Sequence, residues 1–271
     1  MRVDSAVTVI TGASSGIGRA AALAFARAGA RVVLAARDAG RLTDVAREIE
    51  ALGLPALVAP ADVTRDDQVR GLMAASLQKH GRIDILICNA GVGLYGRVAD
   101  LPDDALRRVF EVNFFGAVRC ARAALPSMLE QRSGLIQMVS SIVGRRALPG
   151  YAGYCASKFA LGGLAESLRV ELAGTGVVAQ TVYPGLTATE FAQNAIRRNP
   201  SRSPGAARAM PADRVARRML EAARTGRRDT FISAGGRLLL LASALSPTLT
   251  DRLLARFMNP RAQDDADALS D

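Results

Sequence analysis

The sequence predicts an α/β fold, a doubly wound parallel sheet of about seven strands in a single domain, with a short helical C-terminal extension. Short β-branched and apolar runs alternate with longer amphipathic stretches, which is typical of a parallel sheet covered by helices on both faces. The length of 271 residues allows one large domain or two small ones, and no linker-like stretch divides the chain. Hydrophobic residues make up 49% of it, which is enough for a well-packed core.

Each strand is predicted from a short apolar run bounded by turn residues. In chain order we expect strands at Val7–Ile10, Arg31–Ala36, Ala56–Ala59, Ile83–Cys88, Leu135–Ser140, Val177–Val182 and Asp229–Ile232. The helices are predicted from apolar residues at helical spacing, and four of them precede a glycine at the C-terminal cap position, namely Gly29, Gly53, Gly81 and Gly174. We expect helices at Ile17–Ala28, Arg41–Leu52, Asp66–Lys79, Asp103–Glu130, Tyr151–Leu172 and Ala212–Ala223.

The chain is predicted to divide into a main domain at residues 1–235, a helical extension at 236–260 and a disordered tail at 261–271. Acidic residues dominate Asp264–Asp271, which indicates disorder. The stretch Asn194–Pro211 is rich in Arg, Ser, Pro and Gly, and we expect it to be a mobile excursion near a site. No apolar run approaches the ~18 residues of a membrane span, and the strand near the N-terminus leaves no room for a signal peptide.

The charge and cysteine content exclude several classes of function. The net charge is +10, but aromatic residues are 4% of the chain, tryptophan is absent and no zinc-finger or helix-turn-helix spacing occurs. We therefore expect no nucleic-acid partner, and interpret most arginines as solvated surface. The three cysteines, Cys88, Cys120 and Cys155, stand in apolar surroundings without metal-ligand spacing. They predict free thiols, no metal site and a cytoplasmic location.

A glycine-rich turn lies between the first strand and the first helix, at Thr11–Gly18. Gly12 allows the chain to turn tightly, Gly16 lets the backbone approach a pyrophosphate, and Gly18 lets helix and strand pack closely. The phosphate then meets free amides at the positive end of a helix. A turn with a purely structural role stays open as the alternative, because such a turn alone is weak evidence.

Tyr154 and Lys158 are four residues apart on a predicted helix, so their side chains lie one turn from each other. A nearby cation favours the phenolate, and we expect Lys158 to lower the pKa of Tyr154 from its ordinary value of about 10. The chain has 35 lysines and arginines, of which only Lys79 and Lys158 are lysine, so a compact cation is used selectively here. The alternative is a surface pair spaced by chance. Ser141, thirteen residues upstream of Tyr154, favours the catalytic interpretation over Ser140, an ordinary turn residue.

Together these motifs resemble the short-chain dehydrogenase/reductase family over roughly residues 5–235. In order, the family motifs are matched by Thr11–Gly18, Asp62-Val63, Asn89-Ala90-Gly91, Asn113, Ser141, Tyr154 with Lys158, Pro184-Gly185 and Thr189. One departure is Cys88, where many members carry a second asparagine. The resemblance implies a Rossmann-like fold and hydride transfer by a nicotinamide cofactor. It implies cofactor contacts at Gly12, Ser14, Ser15, Gly16, Ile17, Gly18, Arg37, Asp62, Val63, Asn89, Ala90, Gly91, Tyr154, Lys158, Pro184, Gly185, Thr187 and Thr189.

The same resemblance implies the roles of four catalytic residues. Tyr154 is the general acid in reduction and the base in oxidation, and Lys158 lowers its pKa and holds the nicotinamide ribose. Ser141 donates a hydrogen bond to the substrate oxygen. Asn113 helps connect Lys158 to solvent protons through a water, although a helix asparagine bonding a neighbouring backbone group is an open alternative.

The end of the second strand predicts NADP(H) rather than NAD as the cofactor. An NAD site places a carboxylate there for the ribose 2′-hydroxyl, whereas this chain has Ala36 followed by Arg37, whose guanidinium suits a 2′-phosphate. A solvent-facing arginine stays open as the alternative, because Asp38 follows directly. In the family that this chain resembles, an arginine without a preceding carboxylate at this position is typical of the NADP-preferring members.

We expect a small-molecule substrate, a lipophilic ketone, aldehyde or secondary alcohol, because mostly apolar residues flank the catalytic positions. They are Val143, Leu148, Tyr151, Leu186 and Phe191, each of which could equally belong to the core. The rival class of function is a non-catalytic NADPH-binding regulator on the same fold. An intact set of proton-transfer residues argues against it.

The segment after residue 236 contains two apolar pieces around Pro247, with flanking arginines in the second. It could cover the substrate cleft, join a subunit interface or lie on a membrane surface, and packing against the protein is favoured over peripheral membrane contact. In the family, the helices predicted at Asp103–Glu130 and Tyr151–Leu172 pair between subunits. We therefore expect a homodimer or homotetramer.

Overall fold

In the computed structural model, which describes residues 1–197 and 209–258, seven parallel strands of the described chain form one sheet in the order β11-β7-β6-β4-β1-β2-β3. The strands are β1 Val7–Thr11, β2 Arg31–Ala35, β3 Ala56–Val58, β4 Ile85–Cys88, β6 Gly134–Val139, β7 Val177–Tyr183 and β11 Asp229–Phe231. The order reverses beside β1, as in a doubly wound sheet. The predicted fold class is confirmed.

Helices cover both faces of the sheet and bury its apolar strands. They are α1 Gly16–Arg27, α2 Ala39–Glu50, α3 Asp66–His80, α4 Asp103–Phe110, α5 Gly116–Glu130, α6 Ala152–Glu171, α7 Ala212–Thr225, α8 Ala234–Leu245 and α9 Pro247–Met258. One core cluster joins α1, α2 and α7 to the sheet, and a second joins α3, α5 and α6 to the opposite face. Every residue of β1, β4 and β6 is buried, because parallel strands are covered on both sides.

The prediction of one continuous helix at Asp103–Glu130 is wrong, because a π-helical segment at Glu111–Phe115 separates α4 from α5. Such a segment inserts one residue into a helix and turns the following side chains, and it is frequent at functional sites. It contains Asn113, which is buried. The insertion therefore decides where this side chain points.

Two short parallel strand pairs, not expected from the sequence, fix the segment that follows β7. Thr187–Ala188 (β8) pairs with Met210–Pro211 (β10), and Leu94–Tyr95 (β5) pairs with Ile196–Arg197 (β9). The predicted excursion at Asn194–Pro211 is thus partly ordered, while its central residues, 198–208, lie outside the described chain. The predicted tail at 261–271 also lies outside the described residues.

The C-terminal extension consists of the predicted helices, α8 and α9, and few of its side chains are buried within this chain. Gly236 is the buried residue of α8 and Thr250 that of α9, while the leucines of both helices are largely exposed. Among the described residues, no helix is both long and apolar enough to cross a membrane.

Candidate active site

The carboxyl ends of the parallel strands bring most of the predicted site residues to one edge of the sheet. The glycine-rich turn follows β1, Arg37 follows β2, Asp62 follows β3, Asn89 follows β4 and Ser141 follows β6. In an open α/β sheet this edge holds the ligand site, where the strand order reverses. The topology therefore brings together motifs that are far apart in the sequence.

The glycine-rich turn is locked to the turn after β4 by hydrogen bonds. The Thr11 hydroxyl accepts from the amides of Asn89 and Ala90 at 3.0 and 3.1 Å, and donates to the Ile87 carbonyl at 3.2 Å. The Asn89 side chain donates to the carbonyls of Thr11 and Gly12 at 2.9 and 3.2 Å. Asn89 and Ala90 thus hold the turn in place through their backbone and amide groups.

Glycine is required in this turn because the chain leaves no room for a side chain. Gly12 has a φ of +66°, and a Cβ there would lie 2.9 Å from the Ala90 Cα. A Cβ on Gly18 would lie 2.1 Å from the Gly12 carbonyl oxygen. The helix and the turn therefore approach as closely as the sequence predicts.

The start of α1 has the features of an anion site. Ser15 is the N-cap but its side chain makes no capping hydrogen bond, and the first turn holds no acidic residue. The amides at the start of a helix favour a phosphate in such a place. The residues present therefore fit the pyrophosphate of a dinucleotide.

At the end of β2, the Asp38 carboxylate belongs to a helix cap. Its side chain caps α2 by accepting a hydrogen bond from the Arg41 amide at 3.0 Å. Arg37 is exposed beside it, and its positive charge helps to lower the pKa of Asp62. Burial of Asp62 opposes this shift, and hydrogen bonds from Thr64 support it. Arg37 and Asp62 therefore lie near each other.

Asn113 holds the turn after β4. Its Oδ1 accepts from the Val92 amide at 2.8 Å, and its Nδ2 donates to the Val92 carbonyl at 3.0 Å and to the Ser157 hydroxyl at 2.9 Å. A Cβ on Gly91 would lie 3.2 Å from Asn113 Oδ1 and 3.5 Å from Lys158 Nζ. The turn after β4, Asn113 and Lys158 are thus in direct proximity.

Ser141, Tyr154 and Lys158 meet where β6 ends and α6 begins. The hydroxyl of Ser141 accepts from the Val143 amide at 3.3 Å and lies close enough to Tyr154 to lower the pKa of its phenol. Lys158 Nζ lies 5.8 Å from the centroid of the Tyr154 ring and donates to the Val139 carbonyl at 2.8 Å. A phenol, a hydroxyl and an ammonium group therefore line one small site.

The comparisons with known proteins decide the family. The family model described as short chain dehydrogenase matches residues 6–200. The chain belongs to the short-chain dehydrogenase family. This family implies an oxidoreductase with a nicotinamide cofactor.

Among the relatives of this short-chain dehydrogenase is an uncharacterized oxidoreductase of Listeria monocytogenes, 37% identical over 193 residues, which are 70% of this chain and 78% of the relative. A dehydrogenase/reductase SDR family protein 7-like of Drosophila melanogaster is 36% identical over 84% of this chain and 72% of its own.

Two solved structures show the same fold with different cofactors. A short chain dehydrogenase/reductase from Burkholderia phymatum in complex with NAD has a TM-score of 0.82 and 29% identity, covering 90% of this chain and 96% of its own. An alcohol dehydrogenase from Thermococcus sibiricus complexed with 5-hydroxy-NADP has a TM-score of 0.73 and 29% identity, covering 83% and 94%. Both nicotinamide cofactors therefore occur among similar folds.

The expected lowering of the Tyr154 pKa does not occur in the short-chain dehydrogenase described here, because its net shift is upward. Burial raises the pKa of Tyr154, proximity to Tyr95 raises it further, and the hydrogen bond with Ser141 acts in the opposite direction. Burial also lowers the pKa of Lys158 to about 8, against a smaller raising effect of Cys88. For Tyr154, desolvation outweighs the opposing hydrogen bond, and the Lys158 ammonium donates to the Val139 carbonyl.

Three polar residues of the site were not assigned a role from the sequence. Thr11 holds the turn after β4, Ser157 links Asn113 to the Tyr154 carbonyl by a 2.7 Å bond, and Ser140 donates to the Lys158 carbonyl at 2.8 Å. Each stands directly beside a predicted site residue. That adjacency was the only signal, because a hydroxyl's partner depends on the tertiary fold.

The segment after β7 covers both parts of the site. The Pro184 carbonyl accepts from the Ser141 hydroxyl at 3.4 Å, and the Thr187 hydroxyl donates to the Gly185 carbonyl at 3.0 Å. A Cβ on Gly16 would lie 3.0 Å from Thr189 Cγ2. Thr189 therefore reaches the glycine-rich turn while Pro184 stays beside Ser141.

Aromatic side chains border Tyr154. The Phe191 ring lies 5.5 Å from the Tyr154 ring, and Tyr151 contacts Tyr95 edge to face at 4.8 Å. Leu186 is 39% exposed, so it lines the surface rather than the core. The other two residues expected around a pocket, Val143 and Leu148, are partly buried in the loop after Ser141.

Proposed function

We propose that this short-chain dehydrogenase interconverts a carbonyl group and an alcohol with NADP(H), on a lipophilic small molecule. The observation that carries the proposal is the meeting of Ser141, Tyr154 and Lys158 at the edge of the sheet that also holds the glycine-rich turn. This edge places proton-transfer groups beside a dinucleotide site.

The chain's own residues would supply binding, orientation and a proton. The nicotinamide cofactor, when bound, supplies or accepts the hydride. Burial raises the pKa of Tyr154, so the phenol is protonated at neutral pH, which is the form that donates a proton to a carbonyl oxygen. Ser141 would donate a hydrogen bond to the same oxygen as negative charge develops there.

The cofactor would be held along the carboxyl edge of the sheet. We assign the pyrophosphate to the turn with Ser14, Ser15, Gly16 and Ile17, and the nicotinamide side to the region of Lys158 and Thr189. The adenine side would lie between Arg37, Asp62-Val63 and the turn Asn89-Ala90-Gly91. Pro184, Gly185 and Thr187 would border the nicotinamide side. The shared edge and the contact of Thr189 with Gly16 support this arrangement.

The preference for the phosphorylated cofactor rests on two neighbouring charges at the end of β2. The Asp38 carboxylate is engaged as the cap of α2, and the Arg37 guanidinium is exposed. A guanidinium binds a 2′-phosphate by charge-assisted bonds. A lipophilic substrate is supported by the Phe191 ring beside Tyr154 and by Tyr95, which lies near Tyr154 and packs on Tyr151.

We also propose a homo-oligomer in a reducing compartment such as the cytoplasm. Phe115 at the start of α5 and Phe159 on α6 are 46% and 43% exposed, which suits subunit contacts between these helices. The three cysteines are free and buried, which supports a reducing compartment.

The test is a screen of lipophilic ketones and aldehydes with NADPH and, separately, NADH, followed by loss of nicotinamide absorbance. We expect turnover with NADPH that exceeds turnover with NADH at equal concentration. Equal rates with both cofactors would remove the NADP preference. No turnover on any carbonyl or alcohol, with NADPH tightly bound, would favour a regulator over an enzyme.

A further inference from the structure

The two C-terminal helices carry an apolar surface that the fold leaves uncovered. The large side chains of this surface have exposed fractions of 48% to 77%. They are Leu238, Leu241 and Leu245 on α8, and Leu249, Leu253 and Phe257 on α9. Their spacing of three or four residues places each set on one face of its helix. Clustered exposed apolar side chains of this kind mark an interaction site.

Arginines border the apolar face of α9. Arg252 and Arg256 each directly precede an apolar residue of this face, Leu253 and Phe257, and the Arg256 guanidinium lies 5.9 Å from the centroid of the Phe257 ring. Long cationic side chains beside an apolar stripe keep their charge in the headgroup region when the stripe enters a lipid surface. This pattern suits anionic lipid.

The one acidic residue of the two helices does not oppose this attraction. Asp251 lies on another side of α9, where its carboxylate forms an ion pair with Arg146. The whole chain carries a net charge of +10, which attracts it to an anionic surface, and the sequence after Met258 holds four aspartates and one arginine.

We infer that the exposed faces of α8 and α9 dock this protein on the surface of an anionic lipid bilayer. The helices lie in the interface plane and do not span the membrane, since neither is long enough to cross it. They are anchored to the loop after Ser141, because a Cβ on Gly236 would lie 2.6 Å from the Ile142 side chain and Asp251 pairs with Arg146. Docking therefore brings the catalytic edge near the lipid, a consequence that rests on the proposed function.

The test is flotation of the full chain with vesicles rich in phosphatidylglycerol, compared with vesicles of phosphatidylcholine alone. We expect the protein to float with the anionic vesicles and to be released by high salt. Leu253→Glu should reduce the bound fraction about tenfold, because it places a carboxylate in the apolar face. Arg252→Ser should lower the affinity about fivefold, with a weaker salt dependence.

The matched control is Leu52→Glu, which makes the same change at the end of α2, where the leucine is 45% exposed against 48% for Leu253. It should bind vesicles like the unchanged protein. Recovery of the unchanged protein in the soluble fraction, or equal binding by Leu253→Glu and the control, would overturn the inference. Sedimentation without lipid tests whether a second copy of the chain covers this face instead. A lower mass for Leu253→Glu than for the unchanged protein would assign the face to a subunit contact and would also overturn the inference.

Discussion

Replacing Thr11 by valine tests how the glycine-rich turn is held. Thr11 is 2% exposed, and its hydroxyl makes three hydrogen bonds. It accepts from the amides of Asn89 and Ala90 at 3.0 and 3.1 Å and donates to the Ile87 carbonyl at 3.2 Å. Valine keeps the shape but leaves the Ala90 amide without its acceptor and the Asn89 amide with only its 3.1 Å bond to the Ile87 carbonyl, and each unpaired buried group costs about 1–3 kcal/mol. Both amides are partly buried, so water recovers some of the loss, and we expect about 2 kcal/mol.

The measurement is the free energy of unfolding in urea, together with the dissociation constant of NADPH. Thr8→Val is the matched control in the same strand, because the Thr8 hydroxyl is equally buried but makes one contact, 3.5 Å long, to the Ala6 carbonyl. We expect the control to lose less than about 1 kcal/mol and to bind NADPH unchanged. Equal losses for the two variants, or unweakened NADPH binding by Thr11→Val, would refute this account of the turn.

Three further changes probe the cofactor edge and its charges. Arg37→Asp should lower the ratio of kcat/KM for NADPH over NADH at least about tenfold, and an unchanged ratio would reject the 2′-phosphate contact. Burial lowers the pKa of Lys158 to about 8 from an unfolded value of 10.5, so across this window the unfolded state binds more protons and the free energy of unfolding rises with pH. The free energy of unfolding in urea, measured at several pH values, should rise by about 3 kcal/mol in the unchanged protein, and Lys158→Met should remove this rise. The same pH dependence in both proteins would contradict the lowered pKa of Lys158. Gly18→Ala should cost about 3 kcal/mol or more in thermal or urea unfolding, since its Cβ would lie 2.1 Å from the Gly12 carbonyl oxygen, whereas Gly71→Ala, with open space around it, should be neutral or stabilising.

The strands of the central sheet could be predicted from the sequence, because a strand that is buried on both faces is a continuous run of apolar residues. Val7–Ile10 and Val177–Val182 are each extended by one residue in the structure, as β1 and β7. The π-helical segment around Asn113 was missed, because one inserted residue changes no apolar spacing that a window of sequence can detect. The two pairs of short strands were also missed, because a strand of two residues is too short to show an alternation of apolar and polar residues.

The site was predictable as a set of positions but not as a set of energies. The spacing of Tyr154 and Lys158 indicated proximity, and the structure places the ammonium 5.8 Å from the ring. It could not indicate that burial would raise the pKa of the phenol, because desolvation depends on what the rest of the chain places around it. Asp38 is a similar case: its role as the cap of α2 depends on where the helix starts.

Turnover by Tyr154→Phe measures the central claim most directly, because the change removes one hydroxyl and keeps the ring that packs against Phe191. With NADPH and the best carbonyl substrate, kcat should fall by about 100-fold to 10,000-fold, the contribution of a positioned proton donor. The dissociation constant of NADPH should change little. A variant that binds NADPH normally and turns over within a fewfold of the unchanged protein would show that this hydroxyl does not transfer the proton.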